Sequence, residues 1–474
     1  MINNGNTHNK SRNSEAGNKT PEEDSFGILF IDPGVQLKCS KIARYVNRGL
    51  LSIATFIKSK GFNVNYFCFD QFHKDGVIDE ERVFSELKRF IHGNSIRVAA
   101  ITNLFIAETE NTLKVARYIK ELSPEIITVI GGYNPTIMNQ ELIERKEIDF
   151  IIKGEGEWAL CTLVSALKNG ESTENIPGLV SKEHEGPERR HGNLDELPPL
   201  DYSILPKEYL LSENPPRINL ELSRGCYKNC SFCSVSAFWK SDCEKVRHHK
   251  LDELIKELEY LKSIGYKGKI TVEESTVNLK AEDTKEFLGK LKRFRDDFYF
   301  EYIATRYDYF DEESLGLLDE IGFVHMIFGL ESASKQVMDK VHKDLDLDAF
   351  VDACEIVRNF KIKLTVFMIV GLPGETKETH RETMNFLKRL QAEGLIFGVF
   401  PCHFQPYRGT KASKDLKEAG GRSLARESDY FKWLMRDEPL VEYNHLRSEE
   451  LKGMMAEMLA LNIKNGKNVI DDLM

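Results

Sequence analysis

Two series of short apolar runs, each alternating with amphipathic stretches, limit the folds that this chain can adopt. The first series starts at Phe26 with FGILFID and GLLSIATFIKSKG and ends near Gly170. The second starts with RINLELS and ends with IFGVFPCHF. Repeats of strand, helix and strand build parallel sheets that helices cover. The sequence therefore predicts an α/β protein with two parallel sheets.

Breaks in this rhythm divide the chain into five segments. Residues 1–24 have no apolar periodicity and predict a disordered tail. Residues 25–170 predict a Rossmann-like domain, and residues 171–215, which collect Pro, Gly and charge, predict a linker. Residues 216–408 hold six strand and helix units, which is typical of a full or partial parallel barrel with its chemistry at the carboxyl ends of the strands. Residues 409–474 predict a small helical C-terminal region.

The charge of the chain argues against one class of partner. The formal net charge is -10, whereas nonspecific nucleic-acid binding depends on clustered Lys and Arg. A small-molecule or peptide substrate is favoured, and we expect no nucleic-acid partner. No apolar run reaches the roughly 20 residues that span a bilayer, and the N-terminus has no apolar signal core. We therefore expect a cytoplasmic protein without a membrane span.

Three of the nine cysteines lie close together, in the segment ELSRGCYKNCSFCSV. Cys226, Cys230 and Cys233 follow a predicted strand with the spacing CxxxCxxC. Three thiolates can hold three irons of a four-iron, four-sulfur cubane and leave the fourth iron open to another ligand. An odd cysteine count with one tight group also favours a metal site over a disulfide framework.

Two other interpretations use the same loop. A structural zinc site would be completed by Cys243, His248 or His249, because zinc favours four Cys or His ligands. An electron-transfer cluster would take Cys243 as its fourth ligand. Neither interpretation accounts for the series of strands and helices that surrounds the loop.

The CxxxCxxC spacing, with Phe232 before the last cysteine, resembles the signature of the radical S-adenosylmethionine (SAM) superfamily. The resemblance covers the whole second series. It implies a partial (β/α)6 barrel, a four-iron, four-sulfur (4Fe-4S) cluster whose open iron is chelated by SAM, and cleavage of SAM to a 5'-deoxyadenosyl radical. It further implies a SAM contact at Phe232 and an electron donor such as flavodoxin or ferredoxin.

Further segments at predicted strand ends are similar to this family and imply SAM contacts. In TVEESTVN, Glu273 or Glu274 would bind the SAM amino group by a charge-assisted hydrogen bond. Arg306 in YIATRYDYFDEE would approach SAM or the substrate, and Glu331 and Ser332 in FGLESAS would lie near the SAM ribose. The simpler alternatives are a solvated carboxylate at a helix start and an ordinary surface arginine.

The first series resembles the cobalamin-binding module that precedes the barrel in a subgroup of radical SAM methyltransferases. The matching segments are RGLLSIATFIKSKGFNV, VIGGYNPTIMNQELIERKEIDFIIKGEGEWAL and LDELPPLDY. Paired glycines end two predicted strands, where a ligand can approach the backbone. The residues implied as cobalamin contacts are Gly131, Gly132, Asn134, Gly154, Glu155 and Gly156.

The chain departs from the family pattern in three places. Asn134 in GGYNPT replaces the customary His, and no DxHxxG motif is present. We therefore expect cobalamin without a protein histidine on cobalt, since His73 and His92 are predicted to lie away from the sheet mouth. Arg408 in QPYRGT stands where the family commonly has Pro, either as a cation near the substrate or as a solvent-facing arginine. The alternative for the whole module is a domain that has lost cobalamin and only docks or shields.

Together the two resemblances imply a cobalamin-dependent radical SAM enzyme that transfers a methyl group to an unactivated centre. Proteins with this architecture also catalyse cyclisation and rearrangement. The alternative from another class is a noncatalytic iron-sulfur protein for redox transfer or sensing. The sequence has no second cysteine cluster, which argues against methylthiolation.

Overall fold

The computed structural model of the protein describes residues 26–34, 44–74, 77–187, 193–238, 246–273, 281–424, 438–464 and 467–468. The expected tail at residues 1–24, Cys243 and Glu274 lie outside these ranges. Within them, no helix is both long enough and apolar enough to cross a membrane.

The first series forms a mixed sheet with helices on both faces. Its helices are α1 (Arg48–Ser59), α2 (Glu80–Gly93), α3 (Thr109–Leu122), α4 (Tyr133–Leu142) and α5 (Gly156–Asn169). Its strands are β1 (Gly27–Asp32), β2 (Asn63–Cys68), β3 (Ile96–Thr102), β4 (Ile127–Gly131), β5 (Phe150–Ile152) and β6 (Leu179–Val180). The order is β2-β1-β3-β4-β5-β6, with only β6 antiparallel to its neighbour.

This first sheet is doubly wound, and β1 shows why its sequence is apolar throughout. Ile28 and Phe30 belong to one hydrophobic core, whereas Leu29 and Ile31 belong to the other. Both faces of the strand are thus covered, as in parallel sheets generally. The strand order reverses between β1 and β3, the place where ligands bind in such sheets.

The second series forms a six-stranded parallel sheet in the order β14-β13-β12-β11-β10-β7. A short antiparallel pair, β8 with β9, flanks the segment that carries the cysteines. The strands are β7 (Ile218–Asn219), β8 (Ser223–Arg224), β9 (Arg247–His248), β10 (Lys269–Glu273), β11 (Tyr299–Thr305), β12 (His325–Glu331), β13 (Lys363–Val370) and β14 (Gly398–His403).

Helices connect these strands. Shorter helices and strands lie between the two sheets and after the second sheet. The expected linker contributes β6 and the helix α6 (Lys207–Leu210), and its Tyr202 is buried. The C-terminal region combines two helices with the antiparallel pair β15 (Gly421–Ser423) and β16 (Val441–Tyr443). The remaining helices are α7 (Ser234–Phe238), α8 (Leu251–Ser263), α9 (Ala281–Leu291), α10 (Glu312–Ile321), α11 (Lys335–Lys340), α12 (Leu347–Val357), α13 (Lys377–Ala392), α14 (Lys411–Lys414) and α15 (Ser448–Ala460).

Both edges of the second sheet are covered by other parts of the chain. At the β7 edge, Tyr45 forms a parallel bridge with Arg217, and Val46 N donates to Arg217 O at 3.0 Å. At the β14 edge, the buried side chain of Asn462 pairs with both backbone groups of Val399, at 2.8 and 2.7 Å. These contacts satisfy polar groups that an open edge leaves unpaired.

Candidate functional site

The cysteine loop, which we define as residues 225–238, follows β8 and is held by hydrogen bonds. Cys226, Cys230 and Cys233 are free and partly buried. Cys233 N donates to Cys230 O at 3.1 Å. The Ser236 hydroxyl lies within hydrogen-bond distance of two backbone carbonyl oxygens, those of Cys230 and Cys233. Ser231 N donates to Val341 O at 2.9 Å, which ties the loop to the segment after α11.

The donor set of this loop fits an iron-sulfur cluster. Within the described ranges, no three His, Cys, Asp or Glu side chains are arranged to hold one metal ion. A zinc ion requires its ligands to converge on one point, whereas a cubane binds each thiolate at a different iron. Burial raises the pKa of Cys233 to about 11, so cluster binding is coupled to loss of its proton. The part of Cys243 in the alternatives stays a prediction.

Glu273 lies at the carboxyl end of β10, where its carboxylate is held by a chain of two tyrosines. Tyr302 donates to Glu273 Oε2 at 2.7 Å, and the Tyr45 and Tyr302 hydroxyl oxygens are 2.8 Å apart. Since the Tyr302 proton is directed at the carboxylate, Tyr45 is the donor to Tyr302. Burial raises the pKa of Tyr45 to about 12 and also raises the pKa of Tyr302, which keeps both phenols protonated. The sequence analysis singled out neither tyrosine, although Tyr302 is the first residue of the segment YIATRYDYFDEE.

Glu331 ends β12 in a strained conformation with one carboxylate oxygen unsatisfied. Its φ is +63°, a region that costs a side-chain-bearing residue about 1 to 3 kcal/mol and is often found at functional sites. Lys343 Nζ donates to Glu331 Oε1 and to Gly329 O, both at 2.8 Å. Glu331 Oε2 is buried and has no hydrogen-bond partner in the described part of the chain. Burial, together with the nearby charge of Glu331, raises the pKa of the Cys230 thiol. Glu331 therefore lies near Cys230, and its orphaned acceptor suits a hydroxyl or ammonium group of SAM.

The other expected SAM contacts are engaged within the protein. Arg306 donates to both carboxylate oxygens of Asp308, at 2.9 and 2.8 Å. The Ser332 hydroxyl is buried against Thr383, 3.1 Å away, and the partly buried Phe232 packs on the main core. Their roles towards SAM remain predictions.

The glycine pair after β4 permits a close backbone approach. Gly132 has φ +122°, and a Cβ there would lie 2.5 Å from Asn103 O, so no other residue fits without a shift. The Thr136 hydroxyl donates to Gly132 O at 2.7 Å and accepts from Gly154 N at 3.0 Å. One threonine, which the sequence analysis did not single out, thus joins the two glycine-rich strand ends. We call the loops of Gly131, Gly132 and Gly154 the glycine edge.

Asn103 follows β3 at the point where the strand order reverses, and its side chain suits a polar ligand. The residue is 0% exposed, yet neither its amide nitrogen nor its amide oxygen has a partner in the described ranges. By contrast, Asn134 donates to Thr109 Oγ1 at 2.7 Å. The unpartnered amide of Asn103 at this edge suits a ligand with amide groups, such as cobalamin.

Two buried carboxyl groups lie at the same edge of the sheet. Burial, with the nearby charge of Asp70, raises the pKa of Asp32 to about 7. Burial and the charge of Asp32 raise the pKa of Glu108 to about 8. These side chains are therefore largely uncharged below neutral pH, and the sequence motifs did not reveal them.

The two remaining expected cobalamin contacts pack within the protein. A Cβ on Gly156 would lie 2.6 Å from Ile53 Cδ1, so this glycine allows α5 to approach α1. Glu155 forms ion pairs with Arg224 and Arg247, at 3.1 and 2.8 Å. The role of these two residues towards cobalamin remains a prediction.

Tyr133 brings the glycine edge against the cysteine loop. Its ring centroid is 5.9 Å from that of Phe238 in α7, and its hydroxyl donates to Arg408 O at 3.0 Å. Arg408 itself pairs with Glu141 at 2.9 and 3.0 Å, so this cation joins the two halves of the molecule. The carboxyl edges of the two sheets consequently meet, with the candidate cofactor sites on either side.

The two histidines of the first series occupy different places. His92 lies in the last turn of α2, away from the carboxyl edge as expected. His73 is different, because a single 3-10 turn separates it from the carboxyl end of β2. It is therefore nearer to that edge than the sequence suggested, although β2 is the outer strand and lies one strand away from the point of reversal.

Two family models match the chain. Residues 43–164 match the B12 binding domain, and residues 220–387 match the radical SAM superfamily. An uncharacterized methyltransferase of Pyrococcus horikoshii is 27% identical over 412 residues, covering 85% of this chain and 86% of that protein.

A curated enzyme and a solved structure are also similar. The anaerobic magnesium-protoporphyrin IX monomethyl ester cyclase of Rubrivivax gelatinosus is 28% identical over 75% of this chain and 64% of its own length. The chain thus spans less than two thirds of that cyclase. The radical SAM methyltransferase TsrM of Kitasatospora setae superposes with a TM-score of 0.70 at 19% identity, covering 92% of this chain and 91% of TsrM. This likeness shows a shared fold.

Proposed function

Because the chain belongs to the radical SAM superfamily and carries a B12 binding domain before its radical SAM domain, we propose that it is a cobalamin-dependent methyltransferase. The observation that supports this proposal is the meeting of the glycine edge with the cysteine loop through Tyr133. A methyl carrier and a radical source need to reach one substrate, and contact between the residues proposed to bind them supports such a reaction. The substrate is a small molecule or peptide with an unactivated centre, and flavodoxin or ferredoxin supplies electrons.

The chain's own side chains divide the work of binding between them. When bound, the cluster supplies the electron that cleaves SAM, and cobalamin carries the methyl group. Cys226, Cys230 and Cys233 would hold the cluster. Glu273 and Glu331 offer carboxylate oxygens to the polar groups of SAM. Lys343 keeps the carboxylate of Glu331 in place.

An anaerobic product assay tests the proposal. Reconstituted protein with hydroxocobalamin, SAM and a reductant should form both S-adenosylhomocysteine and 5'-deoxyadenosine. Replacing the three loop cysteines with Ala should abolish the formation of 5'-deoxyadenosine. Cys354 is a buried cysteine in α12, and Cys354→Ala should still form this product. A protein that carries the cluster but forms neither product would be a redox or sensing protein.

Cyclisation is the second candidate, and the similarity to the Rubrivivax gelatinosus cyclase favours it. A cyclase of this kind consumes SAM only as a radical source. Cobalamin-dependent formation of 5'-deoxyadenosine without S-adenosylhomocysteine would therefore favour cyclisation over methyl transfer.

A further inference from the structure

Arg224 lies in β8, two residues before the first cysteine of the loop, and is buried between the two halves of the molecule. Its side chain is 9% exposed. Nη1 donates to Glu155 at 3.1 Å and to Glu157 at 3.0 Å, both in the N-terminal half. Nε donates to Glu221 at 3.1 Å. One guanidinium thus joins three carboxylates from two parts of the chain.

Arg247 brings a second cation to the same carboxylate. Arg224 and Arg247 stand directly opposite each other in the β8 and β9 pair, where like charges are destabilising. Arg247 donates to both oxygens of Glu155, at 2.9 and 2.8 Å. The carboxylate of Glu155 therefore neutralises the repulsion within the two short strands that flank the cysteine loop.

The two N-terminal carboxylates directly follow the glycine edge. Glu155 is the N-cap residue of α5, and Glu157 lies in its first turn, where the helix dipole favours negative charge. Glu157 also accepts from the Ser52 hydroxyl at 2.8 Å, which fixes it to α1. Gly154 is adjacent to Glu155, and Arg224 is two residues from Cys226. The ion pair of Arg224 with Glu155 therefore connects the glycine edge to the cysteine loop through few residues.

The form of this contact favours a geometric role. Replacing a buried ion network with apolar side chains is often neutral or stabilising, so stability is a weak reason for the network. A planar guanidinium directs its donors at fixed angles, which the single ammonium of Lys does not reproduce. A second ion pair between the halves, Arg408 with Glu141, is 42% and 65% exposed and is weakened by solvent. The buried pair of Arg48 with Glu257 joins α1 to α8 and does not involve the residues next to the cysteines.

Resting on the proposed function, we propose that Arg224 is a positioning residue. By binding Glu155 and Glu157, it fixes the cysteine loop against the glycine edge and thereby sets the distance between the cluster and cobalamin.

The test compares Arg224→Lys and Glu155→Gln with the control Arg408→Lys in the full-length protein with its cluster. Hydrogen exchange at residues 153–157 and 224–233 is measured first, without cobalamin. Loss of a charge-assisted hydrogen bond corresponds to about a tenfold or larger change in an equilibrium. Both segments should therefore exchange about tenfold faster in the two test variants and at the wild-type rate in the control.

Pulsed electron paramagnetic resonance (EPR) then measures the distance between the reduced cluster and cob(II)alamin. We expect one narrow distribution in the wild type and in Arg408→Lys, and a broader or longer one in Arg224→Lys at unchanged iron content. Unchanged exchange in both segments, or an unchanged distance in Arg224→Lys, would overturn the positioning role. A wild-type protein that binds no cobalamin would refute the proposed function, while the exchange result would still decide whether Arg224 joins the two loops.

Discussion

Glu273 is a carboxylate whose position depends on both halves of the molecule. Its donor Tyr302 belongs to β11, whereas Tyr45, which supports Tyr302, comes from the segment before α1. A carboxylate held in this way does not need to be ordered when an ammonium group arrives, and pre-ordering lowers the cost of binding.

SAM affinity measures this arrangement. Glu273→Gln should weaken SAM binding about 10-fold to 150-fold, because a charge-assisted hydrogen bond is lost. Tyr302→Phe should weaken it about 2-fold to 10-fold, since the carboxylate keeps its charge and loses only a neutral donor. Anaerobic titration calorimetry on reconstituted protein gives both values, with an unchanged cluster spectrum.

The exposed Tyr299 of the same strand provides a matched control, and Tyr299→Phe should bind SAM as the wild type does. Glu274→Gln tests the neighbouring carboxylate. If the Glu273 and Glu274 variants both bind SAM within a factor of two of the wild type, the acidic segment has been misassigned.

Asp32 makes stability depend on pH. Its pKa is raised from 3.8 to about 7, so the folded state binds its proton more tightly than the unfolded state does. The resulting stabilisation is complete below pH 3.8 and is lost as pH rises through about 7, with a slope of at most about 1.4 kcal/mol per pH unit. Urea midpoints should fall between pH 5 and pH 8, and Asp32→Asn should reduce this fall. Glu108, whose pKa burial raises to about 8, should account for part of the remainder. The control Asp296→Asn changes a side chain that is 98% exposed and should leave the pH dependence of the urea midpoint unchanged.

The cysteine loop is an element whose ligands can be counted. Reconstituted protein should carry about four irons per chain, as one cubane requires, and replacing Cys226, Cys230 and Cys233 together with Ala should abolish this iron. Cys243→Ala should keep the iron, because a cluster that binds SAM leaves one iron without a protein ligand. Loss of iron in Cys243→Ala alone would instead support a site with four protein ligands.

At the level of elements, the sequence predicted what local patterns encode. Apolar runs such as GILFID predicted the strands, and the cysteine spacing predicted the loop that follows β8. Thr136 and Asn103 escaped notice because their importance comes from partners on other strands. The ion partners of Glu155 could not be predicted either, because Arg224 and Arg247 are distant in sequence and meet it only in the folded chain. The role of Glu155 towards cobalamin remains a prediction.

The whole molecule brings two ligand edges together, and the first of them decides how cobalamin is held. We predict that cobalamin binds with its lower face empty, so that neither a protein side chain nor its own nucleotide base binds cobalt. The cob(II)alamin EPR spectrum of the loaded protein should lack splitting from an axial nitrogen. Nitrogen splitting would contradict this prediction, and its loss in His73→Ala but not in His92→Ala would identify the ligand.

The bridge between Tyr45 and Arg217 also affects how the protein is made. Chains are synthesised at about 5 to 20 residues per second, so Tyr45 leaves the ribosome roughly 10 to 35 seconds before its pairing partner. During this interval the segment of Tyr45 has no pairing partner, and Glu155, once synthesised, lacks its partner Arg224. Final closure of the two halves is therefore a late event of biosynthesis, and ribosomal pausing shortly before residue 217 should prolong the sensitivity of the nascent chain to proteases.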